Sequence, residues 1–251
     1  MMKRQAFDAG DTVRSAAWRP GLASTETPHG EIFASAHEAA GAALALALAL
    51  DRIGAAGKQV RSDPLTEEAP DERAWLWVQD REALRLTGRP YRPGLPISLR
   101  HRLIHVAART PEDALFALEE GLRCRDLAFV IGELSGNPRA LDFTASRRLT
   151  LAAERHGVPL WLVRLDARRD LGSARMRWQA RSAPSPRPRW NSQAPGAPGW
   201  QAELFRARRH PPGEWLLRNE EGRLLHFPAS VRAGEGSGAP EAFPDRAGAA
   251  G

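Results

Sequence analysis

The sequence predicts an α/β protein whose mostly parallel sheet is flanked by helices, followed by a C-terminal antiparallel β extension. Three observations point there. Short apolar runs recur at 74–78, 103–108, 127–131 and 160–163, each long enough for one strand buried on both faces. Helical patterns with clear start and stop signals separate the later runs, which is the alternation of βαβ units. After Arg164 the pattern changes: 176–182 alternates as a strand, and from 183 a Pro-rich stretch leads to short strands joined by a turn, as in antiparallel strands.

Taken in order, residues 1–28 are polar, broken at Pro20-Gly21 and Thr27-Pro28, and read as an N-terminal arm. Glu31-Ile32-Phe33 forms a brief strand. The Ala/Leu run 39–50 follows, closed by Glu38 and Asp51. Its alternation would suit a strand by period alone, but Ala and Leu are strong helix formers and no β-branched residue interrupts them. It is also well short of the roughly 18 residues a membrane span needs, so a buried helix is expected. Residues 54–72, rich in Gly, Pro, Ser and acids, read as a surface loop. Thr110-Pro111-Glu112-Asp113 starts a helix, with Thr as N-cap, Pro in the first turn and acids at the positive end. Leu115, Leu118 and Leu122 then share one face. A second helix is expected over 139–156, stopped by Gly157 and Pro159. Residues 176–182 alternate as a strand, 183–199 form a Pro-rich loop, and 204–208, 215–218 and 224–227 form short strands. The last two are joined by the turn Asn219-Glu220-Glu221-Gly222. The expected organisation is an arm at 1–28, a core at 29–182, a Pro-rich loop and hairpin extension at 183–231, and a disordered tail at 232–251.

Composition narrows the function classes. One cysteine, Cys124, excludes an internal disulfide framework and a Cys-rich zinc module, and suits a reducing compartment. The polar N-terminus lacks an apolar signal segment, so a cytoplasmic location is expected. The net charge of +6 suggests an acidic partner. Of 36 cationic residues only Lys3 and Lys58 are lysines, a bias that GC-rich codon usage produces. Placement is more informative: between Arg164 and Arg209 eleven arginines face only Asp166, Asp170 and Glu203.

The segments "LRHRLIHVAARTPEDALFALEEGLR", "GELSGNPRALDFTASRRLTLAAERHGVPLWLVRL" and "SARMRWQARSAP" resemble the ImuA family, RecA-related accessory proteins of bacterial SOS mutagenesis. "WLWVQDREALRLTGRPYRPGL" and "GWQAELFRARRHPPGEW" fit the same pattern, and together these cover most of residues 31–231. The resemblance implies a RecA-like core and partners comprising an ImuB-like Y-family protein, RecA and an error-prone polymerase of the DNA polymerase III alpha type.

A working P-loop needs glycines that admit phosphate to backbone N–H groups, a Lys, and a Ser or Thr for Mg²⁺. In a RecA-like core it would follow the first strand. Here residues 33–43 read FASAHEAAGAA, with no Lys and with Glu38 where phosphates would lie. Lys58 falls at the far end of the helix. The matching Mg²⁺-organising strand, 127–131, ends in Ile131-Gly132, and Glu133 reads as a surface or capping residue. The expectation is therefore a non-catalytic protein, with no catalytic residue, cofactor or metal.

Other constellations read as structural. His101 and His105 flank a strand-like run, where residues four apart lie about 13 Å from each other, and no third ligand accompanies them. Asp142, Ser146 and His156 fall in one helix as cap and surface groups, without a nucleophile elbow. Cys124, between Arg123 and Arg125, reads as helix-end packing. Trp75, Trp77 and Trp161 belong to the core, while Trp190, Trp200 and Trp215 are expected to be partly exposed. The strongest candidate surface is Arg175, Arg177 and Arg181 on one face of a strand, joined by Arg187, Arg189 and Trp190. Arginine beside an aromatic suits a nucleic acid or a protein partner. The leading expectation is a scaffold of translesion synthesis. The alternatives are a cell-division inhibitor of the SulA type, or a cryptic nucleotide-binding protein associated with DNA that uses Glu133.

Overall fold

A computed structural model describes residues 29–60, 71–186, 188, 191, 193–220 and 223–228. The expected arm at 1–28, the tail at 232–251, and Glu221 and Gly222 of the last turn lie outside them. Among the described residues nine strands form one sheet: β1 (His29–Ala34), β2 (Ala74–Gln79), β3 (Leu103–Ala107), β4 (Leu127–Ser135), β5 (Leu160–Leu165), β6 (Met176–Ala183), β7 (Gly199–Ala207), β8 (Gly213–Glu220) and β9 (Arg223–Pro228). Their spatial order is β3-β2-β4-β5-β1-β6-β7-β8-β9. The first six strands in that order run parallel, and β7, β8 and β9 add antiparallel to β6. The α/β class, the parallel core and the antiparallel extension agree with the sequence reading. The extension continues the sheet edge to edge.

Helices α1 (Ala40–Val60), α2 (Arg81–Thr87) and α3 (Ile97–Arg100) lie on one face, and α4 (Pro111–Arg123) and α5 (Phe143–His156) on the other. The first core packs Leu44, Leu48, Trp75, Trp77, Phe129, Ile131, Trp161 and Trp178 beneath α1. The second packs Leu76, Val130, Leu134 and Leu162 beneath Leu115, Leu118, Leu122 and Leu149. Strand alternation explains the division, because neighbours such as Ile131 and Gly132 point to opposite faces.

From Ala40 to Ile53 no residue of α1 is exposed. The helix touches β1, β4, β5 and β6, and it also touches β9. In a flat sheet β9 would lie four strands from β1, about 19 Å away. The antiparallel half therefore curls around α1 and brings Leu217 and Leu224 into the same core. Gly41 permits the close start of this helix: a Cβ there would stand 2.7 Å from Val163 Cγ1 and 2.8 Å from Ala34 Cβ.

Several boundaries differ from expectation. The helix expected to end near Leu50 runs to Val60, so residues 54–60 of the expected loop are helical, and residues 61–70 of it lie outside the described residues. The second helix begins at Phe143, four residues late, because the Asp142 carboxylate accepts the Ala145 N–H and caps it there. Its C-cap is as expected, with Gly157 left-handed at φ 73°. The Thr110 cap is also as expected, its hydroxyl accepting from the Asp113 N–H. β3 is not buried on both faces; it is the sheet edge, and Ile104 stands out to solvent. Cys124 caps α4 but is exposed and not packed.

Two glycines of α1 test this packing in opposite directions. Gly41→Ala is expected to destabilise by roughly 1–3 kcal/mol through overpacking. Gly54→Ala, on an exposed turn with nothing within 4 Å of the new methyl, is expected to stabilise by up to about 1 kcal/mol. Urea denaturation of both variants reads the difference.

Candidate functional site

The parallel strands end together along one rim, where open α/β sheets place ligands. β1 passes into α1 through residues 35–39. Asp166, just beyond β5, is left-handed at φ 50°, a conformation that Asp tolerates better than most residues. Its N–H donates to Ala34 O at 2.9 Å, and its Oδ1 accepts the Ala36 N–H at 3.1 Å. The His37 N–H donates to Ser35 Oγ at 3.2 Å. Glu38 reaches the other way, its Oε2 accepting the Ser182 N–H of β6 at 2.8 Å. Two protein carboxylates thus hold the turn at the head of α1. An incoming phosphate would meet negative charge, and the Ala36 N–H already has an anionic acceptor.

Glu133 is not a surface or capping residue. β4 continues four residues past Ile131, and the Glu133 side chain is 1% exposed. The Trp77 indole N–H donates to Oε1 at 2.8 Å, and the Gln79 amide donates to Oε2 at 3.2 Å. The Thr87 hydroxyl lies 3.1 Å from Oε2 and 2.9 Å from Ala83 O. The Thr87 hydroxyl thus lies within hydrogen-bond distance of both acceptors. Burial pushes the Glu133 carboxyl up, against the opposing effect of the Gln79, Thr87 and Trp77 hydrogen bonds. Asp80 is likewise raised by burial; it caps α2 through the Ala83 N–H and also accepts from the Ser135 N–H. Gln79 extends the chain to the edge, its Oε1 lying 2.8 Å from His105 Nε2. His101 instead caps α3 and is exposed. Among the described residues no group of three His, Cys, Asp or Glu side chains is placed to hold a metal.

The alternation along β6 is as expected: Met176, Trp178 and Ala180 enter the core below α1, and Arg175, Arg177 and Arg181 take the opposite face. Arg177 is not part of a surface, however, because only 3% of it is exposed. β6 runs parallel beside β1 with Arg177 opposite Glu31, and the guanidinium meets Glu31 Oε2 at 2.6 Å. Arg164 of β5 approaches Glu31 Oε1 at 3.5 Å, and Asp170 contacts both arginines at 3.2 and 3.3 Å. Burial opposes ionisation of Asp170, but hydrogen bonds and charge from Arg164, with the Asn137 amide, hold its carboxyl below the usual range. Both guanidinium groups also sit near the Phe33 ring, at 5.5 and 5.0 Å from its centroid.

Arg175 is half-buried and paired with Glu154 of α5 at 2.5 Å. Arg181 is exposed. Arg187, Arg189 and Trp190 lie outside the described residues. Trp200, expected to be partly exposed, is buried below the curled half of the sheet; Trp215 is half-buried beside Trp178. Asp142 caps α5 as expected, but Ser146 is buried and accepts the Ser173 N–H at 2.8 Å. One turn on, Thr150 meets His29 Nδ1 at 2.7 Å. Burial, then the charges of Arg175 and Arg177, lower His29 to about 3. The network around Glu31 and Arg164 went unread in the sequence. The available signal was a charge inside each apolar strand, which must find a partner once buried.

A scan against family models finds no match for this chain, and a search of curated proteins finds none either.

Two outcomes follow from these contacts. Arg177→Ala leaves Glu31 beside one fewer cation in the interior and is expected to cost about 3–5 kcal/mol. Arg181→Ala is expected to stay within about 0.5 kcal/mol, both read by denaturant titration. For Glu133 the folded value is raised, so its contribution is present below the ordinary Glu value and lost as pH rises through the raised one. Stability measured against pH is expected to carry this falling component in the parent and lack it in Glu133→Gln.

Proposed function

We propose that this chain is a RecA-like accessory protein of SOS-induced translesion synthesis that acts by assembly and not by ATP hydrolysis. It would link an ImuB-like Y-family protein, RecA and an error-prone DNA polymerase III alpha-type subunit at damaged DNA. The single observation that carries the non-catalytic part is the β1–α1 turn, where Asp166 occupies the Ala36 N–H and Glu38 is committed to Ser182. A nucleotide-hydrolysing site needs the opposite arrangement, with free backbone N–H groups and a cation facing the phosphates. The Glu133 cluster favours the same reading: its carboxyl hydrogen-bonds Trp77, Gln79 and Thr87 in place of organising an ion.

The RecA-like reading rests on the sequence resemblance, supported by β1 in mid-sheet feeding α1 and by β5 between it and the carboxylate-bearing β4. A retained frame whose rim carboxyls are engaged by the protein's own donors suits a protein whose surfaces, rather than whose rim chemistry, are under use. The partner-binding role for the β6 side now falls on Arg181 and the segment after it, since Arg177 is an interior residue.

Deleting the gene is expected to bring damage-induced mutation frequency down to near the uninduced level while leaving the uninduced frequency alone. The purified protein is expected to show no Mg²⁺-dependent ATP turnover. Unchanged damage-induced mutagenesis in the deletion strain, or capture of division proteins in place of the polymerase and its partners, would sink the reading.

A further inference from the structure

A second basic region lies on the opposite edge of the sheet from the β6 extension. Residues 81–109 carry seven arginines, Arg81, Arg85, Arg89, Arg92, Arg100, Arg102 and Arg109, against one carboxylate, Glu82. Glu82 is engaged by Arg85 at 2.5 Å. Arg81, Arg89, Arg92 and Arg109 are exposed and form no ion pair among the described residues. The segment folds over the β3 edge: Arg92 Nη2 donates to Leu103 O at 3.1 Å. His105, two residues further along β3, feels Arg89 and Arg92 as well as burial, each lowering its affinity for a proton. Positive charge therefore gathers in this segment, whose one carboxylate, Glu82, is already paired, and such a concentration favours an anionic partner.

The occupant is decided by three further features. Tyr91, the sole tyrosine of the chain, stands between Arg89 and Arg92 in sequence and is 75% exposed. Pro90, Pro93 and Pro96 stiffen the backbone around it, so little ordering is left to be lost when a ligand stacks on the ring. An added peptide strand would need the outward carbonyls of β3. The Arg102 carbonyl points inward to the Trp75 N–H, so by alternation the Leu103 carbonyl points outward, and Arg92 already holds it. A guarded edge disfavours β-strand addition. A protruding aromatic flanked by guanidinium groups suits unstacked bases on a phosphate chain, whereas the bases of a duplex are already stacked on one another.

We propose that Arg89, Tyr91 and Arg92, beside the β3 edge, form a binding surface for single-stranded nucleic acid. The surface is independent of the assembly role: an isolated-protein assay tests the first and mutation frequency in cells tests the second, so either can fail alone.

The experiment is fluorescence anisotropy of a labelled oligothymidylate with the full chain across a salt series. Arg89→Ala/Arg92→Ala is expected to make the slope of log affinity against log salt shallower by about 1.4, at about 0.7 per lost phosphate contact on single strands. Tyr91→Ala is expected to weaken binding about fivefold or more. Arg147→Ala/Arg155→Ala, exposed arginines on α5, is expected to bind as the parent does. Arg89→Ala alone, which removes no hydrogen bond among the described residues, carries the test if the double variant fails to fold. The proposal is overturned if the edge variants bind like the parent, or if the parent does not bind the oligonucleotide at low salt. It is equally overturned if polyglutamate displaces the oligonucleotide as well as unlabelled oligothymidylate does, or if phosphatidylserine vesicles bind and the oligonucleotide does not.

Discussion

The first half of α1, Ala40 to Leu50, carries no charged residue and none of it is exposed, and the parallel strands and the curled extension are arranged to enclose it. Burying each Leu of that helix contributes on the order of 1.5–3 kcal/mol relative to leaving it in water, but only where something covers it. The parallel strands cover one side. The curled antiparallel strands, through Leu217 and Leu224, supply the far side. Alternating Ala with Leu keeps the helix thin enough for this, and Gly41 lets its first turn come down onto Val163 and Ala34. The extension is thus part of the core that α1 requires, which explains why it shares one sheet with the parallel strands.

The rim of the parallel strands is occupied by the protein's own charges. Asp166 and Glu38 hold the β1–α1 turn, Glu133 is enclosed by Trp77, Gln79 and Thr87, and Glu31 is shared by Arg164 and Arg177. Glu31 and Glu133 are buried carboxyls that would be costly alone and tolerable with partners, whereas Glu38 is half-buried and Asp166 is exposed. The partners come from the β5–β6 connection and from neighbouring strands, so the rim acts as an internal clamp among β1, β5 and β6. Solvent-facing arginines lie on the β3 edge, at Arg147 and Arg155 of α5, at Arg168 and Arg169 after β5, and at Arg181.

Much of the fold was legible in the residues, since it depended on local rules. Thr110 before Pro111 and two acids could only begin a helix well, and Gly157 before Pro159 could only end one. Apolar runs of four to six residues located the parallel strands, and the alternation from Met176 correctly divided core from opposite face. The site was legible less well. Arg177 read as exposed because charge and alternation report only a side, and the side opposite the α1 core turned out to be lined by Glu31 and Asp170. Glu133 read as superficial because nothing local showed that β4 runs on to Ser135. The basic region at 81–109 was averaged away by a whole-chain charge count.

By itself, the sequence determined the parallel strands, helices α1, α4 and α5, the absence of a lysine at the β1–α1 turn and the character of the first half of α1 as an interior helix. These follow from spacing, propensity and composition, all read within a turn or a strand. Only the tertiary structure decided which charges meet. Arg177 reaches Glu31 through the parallel register of β1 and β6, across 146 residues of chain. Asp166 reaches Ala36 across 130. Strand order and register set such pairs, and they depend on how all the apolar surfaces are buried together, which no local window of residues contains.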